Sequence, residues 1–322
     1  MDFRNVIRKN NIRTRLVVMS YIFLMLIIGL LADIATHPNE QLDLVDNAMM
    51  FVTLHELPIA TFIVLGLTFL GLIYIHFRGH KMMLAGMNAR EITQENASSP
   101  QEKQLFNIIE ELSLSASLGY IPRLYILETD EPNAFAAGWN NRNALVGVTR
   151  GLLQTLNRQE VQAVLAHEVG HIIHGDSKLT LYVGILANVI LTVTNLFSQI
   201  FIRTAGRSRN NAANKAQMIL LVLNFVLPWI TQILYFYLSR TREYMADAAA
   251  VDLTADNQAM ISALKKISGN HETHEYDNST TGQAYRKAAY IFNKGDSVFS
   301  THPSIENRIA VLEGKKTVLV YK

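Results

Sequence analysis

Residues 167–171 read His-Glu-Val-Gly-His. On an α-helix, residues four apart lie on one face, one turn from each other. Two imidazoles so placed can bind one Zn²⁺ at about 2.0–2.1 Å. Glu168 follows the first histidine and is within reach of a water on that ion. The ion brings the pKa of such a water close to neutrality, and a neighbouring carboxylate can take its proton and pass it to a leaving amine. A catalytic zinc takes three protein ligands and keeps one position open. The chain has no cysteine, so the third ligand must be His, Asp or Glu. His174 lies three residues past His171, at the helix end before Gly175, and is poorly placed for tetrahedral geometry. Ser239-Arg240-Thr241-Arg242-Glu243-Tyr244-Met245-Ala246-Asp247 is a better source. Glu243 and Asp247 are again four apart, so one can ligate while the other accepts the ring N–H of a ligating histidine.

The motif requires a helix, and the sequence supplies its start. Asn157 can cap, and Glu160 three residues on completes a capping-box pattern. Upstream, Arg123–Glu128 alternates like a strand. Ala134–Trp139 and Ala144–Thr149 flank Asn140-Asn141-Arg142-Asn143 and read as a hairpin. Gln104–Leu118 places Leu105, Ile108, Ile109 and Leu112 at helical spacing. Glu91–Gln104, with Ser98, Ser99 and Pro100, reads as a linker. The tail after Asp247 is polar and reads as helices with loops.

Composition sets the wider frame. The chain has 322 residues, 49% apolar and 17% charged, against about 25% charged for an ordinary soluble domain. A net charge of +2 gives no basis for nucleic-acid binding by bulk electrostatics. Without cysteine, disulfide frameworks, thiolate metal sites and cysteine nucleophiles are excluded. The apolar excess sits in four blocks, Leu16–Ile34, Leu57–Phe77, Leu179–Ile202 and Gln217–Ser239. Each has about the 20 residues that a membrane-crossing helix needs. Their interiors lack Asp, Glu, Lys and Arg, and only ends such as Asp33 and His76 are ionisable. The first block reads as a retained anchor, because no A-x-A cleavage site follows it.

Lys and Arg orient these blocks. Arg4, Arg8, Lys9, Arg13 and Arg15 precede the first, none lies between Ala35 and Glu56, and Arg78, Lys81 and Arg90 follow the second. The N-terminus and the chain from about Arg78 are therefore expected on the cytoplasmic side. Blocks three and four carry Asn188, Asn195, Gln199, Asn224, Gln232 and Pro228, and the loop between them holds Arg203, Arg207, Arg209 and Lys215. They read either as a spanning hairpin or as one lying at the cytoplasmic interface. Both readings leave His167 and Glu243 in one compartment, as a shared metal demands.

The H-E-x-x-H, followed by two apolar segments and then S-R-x-R-E-x-x-A-D, resembles the HtpX family of membrane zinc metalloproteases, relatives of the CAAX prenyl protease. Pro132-Asn133-Ala134-Phe135-Ala136, the segment Ala144–Leu153, and His171-Ile172-Ile173-His174-Gly175-Asp176 are similar to family segments, with His174 where Asn is common. Thr301-His302-Pro303 followed by Arg308-Ile309 resembles the family's C-terminal H-P…R-I. The match covers essentially the whole chain. The resemblance implies His167, His171 and Glu243 as ligands of one Zn²⁺ per chain, with Glu168 as general base. It implies that Asp247 orients a zinc-bound histidine. His302 would polarise the scissile carbonyl or stabilise its oxyanion, and Arg308 would hold local structure by pairing with Glu243 or an acid nearby. Asn133, Ala134, Phe135 and Ala136 match the edge strand on which zincins bind extended substrate.

The expected architecture is a mainly α membrane protein with four hydrophobic helices and a cytoplasmic α+β zincin-like catalytic domain with a small sheet. Residues 1–77 would form the anchor, 78–178 and 240–322 the protease domain, and 179–239 the hairpin. The expected activity is endopeptidase cleavage of misfolded or damaged membrane proteins at the bacterial inner membrane, with the site facing the cytoplasm. The lipid bilayer and membrane-protein or unfolded polypeptide substrates are the expected partners, and nucleic acid is not one. Two other readings compete. A zinc transporter calls for ionisable residues inside the spans, and these spans have none. A non-proteolytic chaperone or scaffold sits badly with a complete H-E-x-x-H and a matching Glu243.

Overall fold

The structure is a computed structural model that describes residues 3–37, 39, 41–138, 140–204, 214–223, 226, 241–273 and 303–316. It is mainly helical, with one small mixed sheet. The helices are α1 (Phe3–Thr36), α2 (Leu44–Val52), α3 (Ile59–Met82), α4 (Pro100–Ser115), α5 (Arg150–Thr155), α6 (Arg158–His174) and α7 (Asp176–Thr204). A short apolar helix, α8 (Asn214–Leu223), follows. Then come α9 (Thr241–Thr254), α10 (Asn257–Thr273) and α11 (Ile305–Leu312). The strands are β1 (Ala89–Ile92), β2 (Arg123–Leu127), β3 (Ala134–Ala137) and β4 (Leu145–Thr149). The chain divides into two compact units, one of Met1–Arg13, Phe77–Gly184 and Tyr235–Lys322, the other of Thr14–His76 and Ile185–Leu234.

The first unit is built on the sheet, in the order β1-β2-β4-β3. β2 and β4 run parallel, while β1 pairs antiparallel with β2 and β3 antiparallel with β4. β3 and β4 form the expected hairpin, although Trp139, at its end, lies outside the described residues. Its asparagines close the turn through local bonds. Asn140 Oδ1 accepts from Arg142 N at 2.9 Å, and Asn143 Oδ1 accepts from Asn140 N at 3.1 Å. Leu105, Ile108, Ile109 and Leu112 of α4 pack with Val146 and Val148 of β4, Val164 and Leu165 of α6, and Met260 and Leu264 of α10 in one core.

α6 starts where the sequence said it would. Asn157 Oδ1 accepts from Glu160 N at 3.0 Å and Glu160 Oε2 accepts from Asn157 N at 2.8 Å, closing a capping box. Glu160 is buried and also accepts from Ser262 Oγ at 2.6 Å and Lys266 Nζ at 2.8 Å, which ties the start of α6 to α10. Burial alone would raise its carboxyl. Lys266, Ser262 and the Asn157 amide override that and hold it below the usual range.

The segment Glu91–Gln104 is not a linker. Ala89–Ile92 forms β1 on the edge of the sheet, and α4 begins at Pro100. Ser99 caps α4, accepting from Glu102 N at 3.1 Å, while Glu102 reaches back to the Ser99 amide at 3.4 Å. The serines and the proline are a helix start, with proline at the first helical position where no N–H is needed.

The second unit accounts for an ionisable residue at the end of an apolar block. Asp33 of α1 accepts from Ala60 N at 2.7 Å, Thr61 N at 2.9 Å and Thr61 Oγ1 at 2.7 Å. It satisfies donors at the start of α3, which the helix itself leaves without partners. Gly29 makes the approach possible, since a Cβ there would lie 2.7 Å from Thr61 Cα.

Of the four apolar blocks, two are shown among the described residues as helices long and apolar enough to cross a membrane, Ile7–Thr36 and Ile59–Met82. Apolar side chains such as Met19, Phe23, Phe62, Leu67 and Phe69 stand exposed on them, as lipid contact would require. The third block lies in α7, and the fourth is described only over 217–223 and at 226.

Candidate metal centre

α6 and α9 pack side by side, and small residues let them do so. A Cβ on Gly170 would stand 3.0 Å from Ala249 Cβ and 3.3 Å from Ala246 Cα. Any longer side chain at 170 would push α9 away, and with it Glu243, in the first turn of that helix.

The three metal-ligating side chains meet here. One ligand atom each from His167, His171 and Glu243 lie within 4.8 Å of one another. The two Nε2 atoms are 3.1 Å apart, and Glu243 stands 3.6 Å from His167 Nε2 and 3.8 Å from His171 Nε2. Nitrogen ligands at 2.0–2.1 Å around one tetrahedral ion would be about 3.3 Å apart. The set of two imidazoles and one carboxylate therefore fits a single divalent metal in both chemistry and spacing.

Glu168 lies beside them, fully buried, and neither of its carboxylate oxygens has a hydrogen-bond partner among the described residues. A buried carboxylate without donors is costly unless it faces something that uses it. Burial pushes its carboxyl above the ordinary range, and Glu243 adds to that, while His167, His171 and Arg308 pull the other way.

The other ring nitrogens are engaged as well. His167 Nδ1 stands 2.9 Å from Asp247 Oδ1, and His171 Nδ1 stands 3.1 Å from Asp176 Oδ2. Arg308, fully buried on α11, donates to both oxygens of Asp247, Nε at 2.9 Å and Nη2 at 2.6 Å. Its Nη1 is 3.8 Å from Glu243. Burial alone would raise the Asp247 carboxyl, but the Arg308 guanidinium and His167 hold it below the usual range.

Of the other residues expected at the site, Asn133–Ala136 lie at and in β3, the edge strand that packs against α6. Asn133 is buried and trades bonds with Thr149: its N–H donates to Thr149 Oγ1 at 2.8 Å, and that hydroxyl donates to its carbonyl at 2.9 Å. His302 lies outside the described residues. His174 is buried and is not one of the three convergent ligands.

Residues 99–316 match the model of peptidase family M48. A Protease HtpX homolog of Helicobacter acinonychis (strain Sheeba) is 40% identical over 97% of this chain and 98% of its own. One from Ligilactobacillus salivarius (strain UCC118) is 32% identical over 95% of this chain and 98% of its own.

The chain belongs to peptidase family M48.

It is a metalloprotease of the HtpX type, and among the described residues two helices are long and apolar enough to cross a membrane. Among solved structures, the crystal structure of S. mikatae Ste24p matches 82% of this chain and 61% of that one, at 16% identity and a TM-score of 0.45. Helical spacing in the sequence points to His167 and His171 and to the pair Glu243 and Asp247, and the family resemblance adds Arg308. Neither gives Asp176 a role, although Gly175-Asp176 ends a segment similar to the family's. Its signal was positional: a glycine that ends the helix, followed at once by an acid.

Proposed function

We propose that this M48 chain is a zinc-dependent endopeptidase of the bacterial inner membrane, with several membrane-crossing segments and its site facing the cytoplasm. Misfolded or damaged membrane proteins, and unfolded polypeptides, are its proposed substrates. The observation that supports this best is the convergence of His167, His171 and Glu243 beside a buried Glu168 whose oxygens have no partner among the described residues. The proposed division is an anchor of residues 1–77, a protease domain of 78–178 and 240–322, and a hairpin of 179–239.

One zinc ion held there would supply Lewis acidity, bringing the pKa of water to about 7 and polarising the scissile carbonyl. Glu168 takes the proton from the attacking water and carries it to the leaving amine. Its position beside the ligands favours this, since both of its oxygens are free of hydrogen bonds among the described residues. Asp247 holds His167 by Nδ1, so that Nε2 keeps its lone pair for the ion. Arg308 fixes Asp247 through two parallel bonds. Asn133–Ala136 receive the substrate as an added strand, and His302 steadies the oxyanion.

Cleavage of casein or a membrane-protein substrate by the purified full-length chain in detergent tests this reading. A strong chelator is expected to abolish cleavage, and one equivalent of Zn²⁺ to restore it. Cleavage indifferent to chelation would overturn it.

A further inference from the structure

We propose that Asp176 is a positioning residue of the metal centre, holding His171 through Nδ1 as Asp247 holds His167. The inference rests on the metal reading above.

The two histidines have corresponding carboxylate partners, with the difference that His167 Nδ1 also stands 3.3 Å from Arg308 Nη2. Each Nδ1 faces a buried carboxylate, at 2.9 Å for His167 and 3.1 Å for His171. Each Nε2 faces Glu243 and the other histidine. An imidazole whose Nδ1–H is taken by a carboxylate presents its Nε2 lone pair in a fixed direction. The ring planes stand at 88°, with centroids 4.7 Å apart, and the two Nε2 atoms lie 3.1 Å from each other.

The local chain explains how an acid five residues past His171 reaches it. Gly175 ends α6 in the left-handed conformation, φ 69°, which costs glycine nothing and other residues about 1 kcal/mol or more. The chain turns there and restarts at once as α7, whose first residue is Asp176. The turn is tied down further by Ser177 Oγ, which donates to the His171 carbonyl at 3.0 Å.

A buried arginine secures the first turn of α7. Arg242 donates through Nη1 to Thr180 Oγ1, and that hydroxyl donates to the Asp176 carbonyl at 3.0 Å. Arg242 directly precedes Glu243, so one turn of α9 supplies both the third ligand and the anchor of the second brace. Asp176 also opens the helix that carries the third apolar block, and Arg242 follows the fourth. An acid at the start of a helix also has a plain role at the helix dipole, so the test must separate the two.

The test measures Zn²⁺ affinity of the full-length chain in detergent by competition with a chromophoric chelator. The visible spectrum of the Co²⁺-loaded protein and the thermal unfolding of the metal-free protein are recorded alongside. Asp176→Ala is expected to weaken Zn²⁺ binding about 10–100-fold. Asp176→Asn, which keeps shape and an acceptor, is expected to weaken it less, with an altered cobalt spectrum and little change in metal-free unfolding. Wild-type affinity and spectrum in both variants would overturn the inference. So would a loss of affinity in Asp176→Asn that only tracks a lower unfolding temperature. A wild-type chain that takes up no zinc would instead overturn the reading of the site on which the inference stands.

Discussion

Replacing Glu168 with Gln is expected to cut peptide hydrolysis by about 10²–10⁴-fold, the usual worth of a general base, while zinc stays bound. The amide has the shape of the carboxylate and cannot take a proton. No hydrogen bond of Glu168 is lost among the described residues, because its oxygens make none there. The fold therefore has little reason to respond. Metal content should stay at one per chain, and removing a desolvated negative charge should not weaken the fold. The measurement is cleavage rate together with bound zinc on the same preparation. Full cleavage in Glu168→Gln would remove Glu168 from the chemistry. Loss of both zinc and cleavage would make it a structural residue.

Replacing Arg308 with Met is expected to cost about 3–5 kcal/mol of stability in the metal-free protein, the range found when one partner of a buried ion pair is removed. Arg308 is fully buried, bonded to Asp247 by two nitrogens, and 3.8 Å from Glu243. Its loss leaves the buried carboxylates of Asp247 and Glu243 without their guanidinium partner. Most of the cost is this stranded charge rather than the lost bonds, which yields a second expectation. Arg308→Met combined with Asp247→Leu should lose clearly less than the sum of the two single changes. Unfolding in detergent by heat and denaturant measures both. A single variant that costs under about 1 kcal/mol, or strictly additive losses, would contradict a functional pair held by charge.

Residues close in sequence were the most legible. Asn157 and Glu160 announced the start of α6, and the H-E-x-x-H pattern needs only helical geometry to place both histidines on one face. The four asparagine-rich positions between β3 and β4 announced their turn, because Asn bonds its own backbone. Glu243 is different. It lies 76 residues beyond His167, and what brings it back is the packing of Gly170 against Ala246 and Ala249, which no local pattern encodes. Spacing alone left Glu243 and Asp247 interchangeable as ligand and brace, and only the family pattern separated them.

Two misreadings have physical causes. Ser98-Ser99-Pro100 has a loop-forming composition, while Ser99 followed three residues later by Glu102 is also a capping box. β1 has only four residues and two of them, Arg90 and Glu91, are charged. Its strand character comes from pairing with β2, not from its own side chains. Asp176 is not legible from periodicity, which stops at Gly175. Counted along a continuing helix, an acid at i+5 would face away from His171. The left-handed residue breaks that count and folds the acid back.

A zinc centre made of His167, His171 and Glu243 is tested most directly by X-ray absorption at the zinc edge on the purified full-length chain, beside a Glu243→Gln variant. The expected result is one zinc per chain, with two imidazoles at about 2.0–2.1 Å and one carboxylate oxygen at about 2.0–2.2 Å, and a marked loss of zinc in the variant. A zinc shell of three imidazoles, or a Glu243→Gln protein that keeps the wild-type zinc and spectrum, would contradict it.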